Sequence, residues 1–191
     1  MDIQEFIQNL IREHGAWFYA VTFAWTFFEG ETFVLFAGFA AASGLINAPL
    51  LLASAWLGSF AGDQCYFWIG RRFGLRLLER RPGWRGRVDV ALGWLRRFDA
   101  WFILTFRFIY GIRNISSFAL GISGIPWRRF MILNFIAAGV WAITFVGAGY
   151  FFGQASERFL GPQLRIIMLC VFVAVVAAIF FAVWLSHRRR H

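Results

Sequence analysis

Long apolar stretches broken by short polar segments set the first constraint on this chain. Five such stretches occupy residues 16–46, 49–70, 98–125, 130–153 and 166–185. A helix needs about 20 residues to cross a hydrocarbon core of about 30 Å, and the second, fourth and fifth stretches meet that length. Only 15% of the chain is charged and 60% is hydrophobic, whereas a soluble domain is about a quarter charged. The sequence therefore predicts an all-α integral membrane protein with one membrane domain.

The first and third stretches are too long for a single straight crossing, and both carry ions near the middle. Glu29-Gly30-Glu31 interrupts the first, and Arg107 and Arg113 interrupt the third. Two half-length helices meeting at a charged tip fit better. Such re-entrant hairpins are tolerated where the tip is buried in protein or faces a wet cavity. Residues 71–97, read as a polar loop, hold nine arginines; less Glu79 and Asp89, that is a net +7. Basic loops stay cytoplasmic, so this loop and the tail His187-Arg188-Arg189-Arg190-His191 are expected inside. If the first stretch is a hairpin, the N-terminus lies outside; if it spans, inside. Residues 1–15 read as an amphipathic interfacial helix with Ile3, Phe6, Ile7, Leu10 and Ile11 on one face. Acids and an arginine there precede any apolar run, unlike a cleavable signal peptide.

The chain also repeats weakly. Ser43-Gly44-Leu45 recurs as Ser123-Gly124-Ile125, and Gly70 and Gly74 recur as Gly149 and Gly153, at offsets of 80 and 79. The expected architecture is two inverted hairpin-plus-helix repeats, residues 16–70 and 98–153, joined by the basic loop. Residues 154–191 add a C-terminal transmembrane helix and a basic tail. Inverted repeats with broken helices mark transporters, whose sites lie near the midplane.

The charged residues inside apolar stretches carry the expected chemistry. Glu29 and Glu31 would point about 200° apart on a continuous helix; Gly30 lets the chain turn so that both face one cavity. Carboxylates in that setting are candidates for proton coupling, and a plain extracellular loop is the alternative. Asp63 is the one acid of the second stretch. It reads either as a further proton-coupling residue or as an interfacial acid paired with Arg71 or Arg72. Gly58 and Gly62 form a small-xxx-small face for close helix contact.

Arg107 and Arg113 lie about 120° from coaxial on a helix, with Gly111 between them. A broken tip would bring both guanidinium groups onto one anion. Arginine suits phosphate because its fork makes paired, charge-assisted hydrogen bonds; the alternative is two arginines snorkelling to the interface. Asn114, Ser116 and Ser117 would add neutral donors. Arg71, Arg72, Arg128 and Arg129 read mainly as topology determinants, and Cys65 and Cys170 as buried thiols. His14, His187 and His191 are peripheral, and no Ser-His-Asp set, P-loop or zinc spacing is present. No enzyme activity, cofactor or metal is expected. The formal charge of +9, all of it from arginine, suits anionic lipid heads better than nucleic acid.

These residues resemble the DedA family, also called the SNARE-associated or VTT-domain family. Phe28-Glu29-Gly30-Glu31 followed by Ala37-Gly38 resembles its acidic hairpin. Gly58-x-x-x-Gly62-Asp63-x-x-Tyr66-x-x-x-Gly70-Arg71-x-x-Gly74 is similar to its central motif. Arg107-Phe108-Ile109-Tyr110-Gly111-Ile112-Arg113 resembles its paired-arginine hairpin, and Trp141 with Gly149-Tyr150-x-x-Gly153 its closing motif. The resemblance covers about residues 16–153. It implies a bacterial inner-membrane protein that moves lipids such as undecaprenyl phosphate or phospholipids between leaflets, linked to the proton gradient. It maps the family's essential acids to Glu29 and Glu31 and its essential arginines to Arg107 and Arg113. Two departures stand out: many members have a proline-rich stretch where this chain has only Gly30, and proline where it has Tyr110. The chain looks closest to a compact Glu-Gly-Glu subgroup.

The resulting expectation is a proton-coupled flippase or scramblase for a phosphate-headed lipid, with lipid and protons as partners and homo-oligomerisation left open. Gly30, Gly58, Gly62, Tyr66, Arg71, Gly111 and Asn114 would support the site. The alternative is a proton-coupled ion antiporter or channel, which needs the acids but not the arginines. A lipid phosphatase lacks a usable nucleophile and base, and a scaffold has no use for buried charge.

Overall fold

The computed structural model describes residues 17–28, 31–80, 82–109 and 113–156. Seven α-helices are described: α1 (Trp17–Phe28), α2 (Glu31–Ala42), α3 (Ala48–Arg80), α4 (Arg85–Phe98), α5 (Ala100–Thr105), α6 (Arg113–Ile122) and α7 (Trp127–Ser156). Short 3₁₀ turns occupy Pro82–Trp84 and Phe106–Phe108. Among the described residues there is no strand. Glu29, Gly30, Gly111, the N-terminal helix expected at 1–15, Cys170 and the fifth apolar stretch lie outside them.

Local chemistry explains the helix ends. Gly44 at φ +73° and Gly124 at φ +81° turn the chain after α2 and after α6, a left-handed conformation that glycine adopts without steric cost. Asn47 then caps α3: its Oδ1 accepts from the Leu50 amide at 3.1 Å. The Asn47 amide donates to the Tyr19 hydroxyl at 2.9 Å. The start of α1 therefore meets the turn that leads into α3. Asp99, at φ +46°, breaks the path between α4 and α5, and Arg129 donates to its carboxylate at 2.6 Å.

Glycines let backbones touch where helices cross. A Cβ on Gly62 would lie 2.2 Å from the Phe27 carbonyl oxygen, so α1 rests directly on the first half of α3. The second half of α3 meets α6 through a reciprocal pair: Gly70 faces the Phe118 carbonyl and Gly121 the Phe67 carbonyl, each at 2.1 Å from a would-be Cβ. Helices α2 and α7 cross in the same way, Gly149 against Leu35 and Gly38 against Val146. Such contacts are how helices associate where apolar burial gives no driving force, as in lipid.

Two apolar cores result. One gathers Phe67, Val88, Ile103, Phe106, Leu120 and Phe130; the other gathers Val34, Leu51, Ala55, Trp141 and Val146. On the outside, α7 exposes Ile132, Ile136, Val140 and Ile143. That spacing lays an apolar stripe along one face, as a lipid-facing helix requires. At 30 residues, or about 45 Å, α7 is long and apolar enough to cross a membrane.

Two expectations are corrected. Residues 71–97 are not a loop: α3 continues to Arg80 and α4 follows. Arginine is a good helix former. Val88, Ala91 and Leu95 recur at helical spacing and bury one face of α4, while Arg85, Arg87, Arg96 and Arg97 stay exposed. Cys65 is exposed rather than buried. It lies two residues past the buried Asp63, about 200° round α3, and so on the outer face.

Candidate functional site

The site grows from one face of α3. Ser59 and Asp63 stand one turn apart, so both side chains point the same way, and both are fully buried. The 3₁₀ turn after α5 carries Arg107, and α6 begins at Arg113. Both guanidinium groups converge on the α3 pair.

Arg107 is fully buried and its Nη atoms are well used. Nη1 donates to the Ser59 hydroxyl at 2.8 Å, and Nη2 donates to Asp63 Oδ2 at 2.6 Å and to Asn134 Oδ1. Asn134 comes from α7, so Arg107 ties α3 and α7 to the segment after α5. Arg113 is held differently. Its Nη2 donates to the Ser59 hydroxyl at 3.0 Å and to the carbonyls of Thr26 at 3.1 Å and Ser59 at 3.4 Å. Its contact with Asp63 is longer, 3.5 Å from Nε to Oδ1. Ser117 of α6 donates to the same oxygen at 3.0 Å. Both carboxylate oxygens are thus engaged.

Formally the cluster is two cations and one anion, a net +1. Charges taken out of water are tolerated only with close pairing and hydrogen bonds to the remaining polar atoms. Asp63, Ser59, Ser117 and Asn134 supply part of these, while Arg107 Nε and Arg113 Nε are buried without a hydrogen-bond partner among the described residues. The last turn of α1 adds more: Arg113 donates to the Thr26 carbonyl and Asn114 to the Phe28 carbonyl, the latter at 3.2 Å. Carbonyls at a helix C-terminus lack intrahelical partners and carry the negative end of the helix dipole, so cationic and amide donors fit them. Arg107 also lies 5.8 Å from the Phe106 ring centroid and Arg113 5.4 Å from that of Trp141. The cluster therefore sits between the two apolar cores.

Arg113 also opens onto a cavity of about 490 Å³. Glu31, Tyr66 and Asn114 share its wall, and Phe28, Ile69, Leu77, Ile115 and Phe118 make much of it apolar. Arg113 Nη1 is buried without a hydrogen-bond partner among the described residues.

The predicted site residues fall as follows. Arg107, Arg113 and Asp63 meet directly, and Asp63 pairs with these two arginines, not with Arg71 or Arg72. Arg71 instead donates to the Ile125 carbonyl at 2.6 Å, anchoring α3 to the turn before α7. Glu31, Tyr66 and Asn114 line the cavity, and Gly58 and Gly62 seat α1. Ser117 reaches Asp63, while Ser116 is buried without a hydrogen-bond partner among the described residues. Sequence reasoning missed Ser59, Thr26 and Asn134. A lone amide inside an apolar stretch was the available signal for Asn134, since intramembrane polar residues mark sites by default.

Fold and site together define a helical membrane protein with an arginine–carboxylate cluster in its interior. Residues 28–151 match the VTT domain, and the chain belongs to that family, the DedA family of membrane proteins. It is 33% identical over 184 residues to inner membrane protein YohD of Escherichia coli (strain K12), covering 95% of this chain and 94% of that one. Protein DedA of the same strain is 26% identical over 168 residues, covering 80% and 77%. Undecaprenyl phosphate transporter A of Bacillus subtilis (strain 168) is 24% identical over 160 residues, 80% of each chain. No solved structure matches the chain.

Proposed function

We propose that this protein carries a phosphate-headed lipid, a polyprenyl phosphate or a phospholipid, between the leaflets of a bacterial inner membrane, coupled to protons. One observation carries the reading: a buried arginine with an unpartnered Nη1 opens onto a largely apolar cavity. A phosphate at Arg113 would make charge-assisted hydrogen bonds there, and the apolar wall suits the first carbons of a lipid tail. The name of the Bacillus relative, a transporter of such a lipid, supports the same cargo class, and that of YohD supports the inner membrane.

Glu31 shares the cavity with Arg113. Its protonation would change the charge that the head group meets, which gives the coupling a physical route; Glu29 is proposed for the same role. In this reading residues 16–70 and 98–153 are inverted repeats with re-entrant hairpins. The left-handed turns at Gly44 and Gly124 and the matched crossings at Gly70 and Gly149 support that relation. The arginine-rich segment 71–97 and the C-terminus face the cytoplasm.

The test is head-group transfer in proteoliposomes under an imposed proton gradient. Arg113→Ala is expected to lower transfer at least about tenfold, the cost of one charge-assisted hydrogen bond. Undiminished transfer by the folded variant would remove the proposal. Ion flux without head-group transfer would put an antiporter or channel in its place.

A further inference from the structure

We propose that Asp63 is the resident anion of a two-arginine seat, and that an entering phosphate takes Arg113 over from it while Arg107 stays behind. This rests on the reading of Arg113 as the head-group ligand. Two guanidinium groups on one anion is the geometry a phosphate site needs, and here it is already built around a carboxylate.

The hold on Asp63 is unequal. Arg107 contacts it at 2.6 Å and is fastened besides to Ser59 and Asn134. Arg113 contacts it at 3.5 Å and donates its hydrogen bonds to neutral acceptors. Of these three charged residues only Arg113 lines the cavity. A phosphate arriving there meets Arg113 first.

The exchange leaves each of the three charged side chains with hydrogen-bond partners. Arg113 keeps Ser59 and the Thr26 carbonyl. Asp63 keeps Arg107 on Oδ2 and the Ser117 hydroxyl on Oδ1. No buried charge is stranded, which would otherwise be the main barrier. The net +1 of the cluster is matched by one negative charge, that of a phosphodiester head group. Asp63 therefore acts as an internal competitor: it keeps the arginines compensated between cargoes and weakens the binding of each cargo.

The experiment is a binding titration on the purified full chain in neutral detergent, with dioctanoyl phosphatidylglycerol as probe and dioctanoylglycerol, which lacks phosphate, as control. Asp63→Asn is expected to bind the phospholipid about tenfold more tightly than wild type, the weight of one lost charged competitor, with no change for the control. Equal or weaker binding by Asp63→Asn, with wild-type binding abolished by Arg113→Gln, overturns the exchange and leaves the head-group reading standing. Wild-type binding untouched by Arg113→Gln overturns both.

Asp63→Asn leaves two uncompensated guanidinium groups, and a single variant that fails to fold alone is purified with the probe. In that event recovery of monodisperse protein only with phosphatidylglycerol present throughout purification supports the proposal. The double variant Asp63→Asn/Arg113→Gln restores the +1 balance and is expected to fold without binding the probe. A folded double variant beside a single variant that no phospholipid recovers overturns the exchange.

Discussion

Arg107 and Arg113 stand six residues apart in one apolar stretch, both reach the same aspartate, and their surroundings differ. Around Arg107 the protein is closed: three side chains from α3 and α7 accept from its Nη atoms, one of them the carboxylate at 2.6 Å. Around Arg113 it is partly open: the acceptors are mostly neutral, the carboxylate is 3.5 Å away, and a cavity lies alongside. Identical charges in one motif thus serve two ends. One holds helices together, and the other keeps an unpartnered Nη1 on a side chain that lines the cavity.

The largest expected effect breaks the closed side. Arg107→Leu strips Asp63 of its short partner and leaves Ser59 and Asn134 facing an apolar side chain. Losing one member of a buried ion pair costs about 3–5 kcal/mol, to be read from the unfolding midpoint in detergent. Arg113→Leu should cost less, because Asp63 keeps Arg107 and Ser117; equal losses would erase the contrast. Next comes the frame beneath both arginines. Gly70→Ala sets a methyl group 2.1 Å from the Phe118 carbonyl oxygen and should cost about 1–3 kcal/mol as overpacking, prising α6 and Ser117 from α3. Asn134→Ala removes one acceptor from Arg107 and should also cost about 1–3 kcal/mol, with little change in head-group binding at Arg113. The smallest effect belongs to the exposed Arg129–Asp99 pair, with side chains 45% and 63% exposed. Arg129→Ala should cost less than about 1 kcal/mol despite the 2.6 Å contact.

Much of this frame was legible in the residues. Charge in the middle of an overlong apolar stretch is costly, so a chain break there was expected; the described helices α1, to Phe28, and α2, from Glu31, lie on either side of that point. The sequence reading brought Arg107 and Arg113 together on the phosphate of a cargo; in the structure the two converge on a side chain of the protein itself. That this side chain is Asp63 was not legible. It lies 44 residues from Arg107, and local spacing says nothing about such a meeting. Ser59 and Thr26 escaped notice for a related reason: hydroxyl side chains barely alter hydropathy, and Thr26 contributes to Arg113 only through its backbone carbonyl. The run of α3 to Arg80 was hidden because arginine density reads as a loop by polarity and as a helix by propensity, and here propensity prevails.

The division of labour between the two arginines is tested most directly by measuring stability and head-group transfer side by side in Arg107→Lys and Arg113→Lys. An ammonium group keeps the charge but loses the fork. With labour so divided, Arg113→Lys stays near wild-type stability and loses most transfer, while Arg107→Lys loses stability, because one ammonium cannot span Ser59, Asp63 and Asn134. Full transfer by Arg113→Lys, or an Arg107→Lys protein as stable as wild type, would contradict that division.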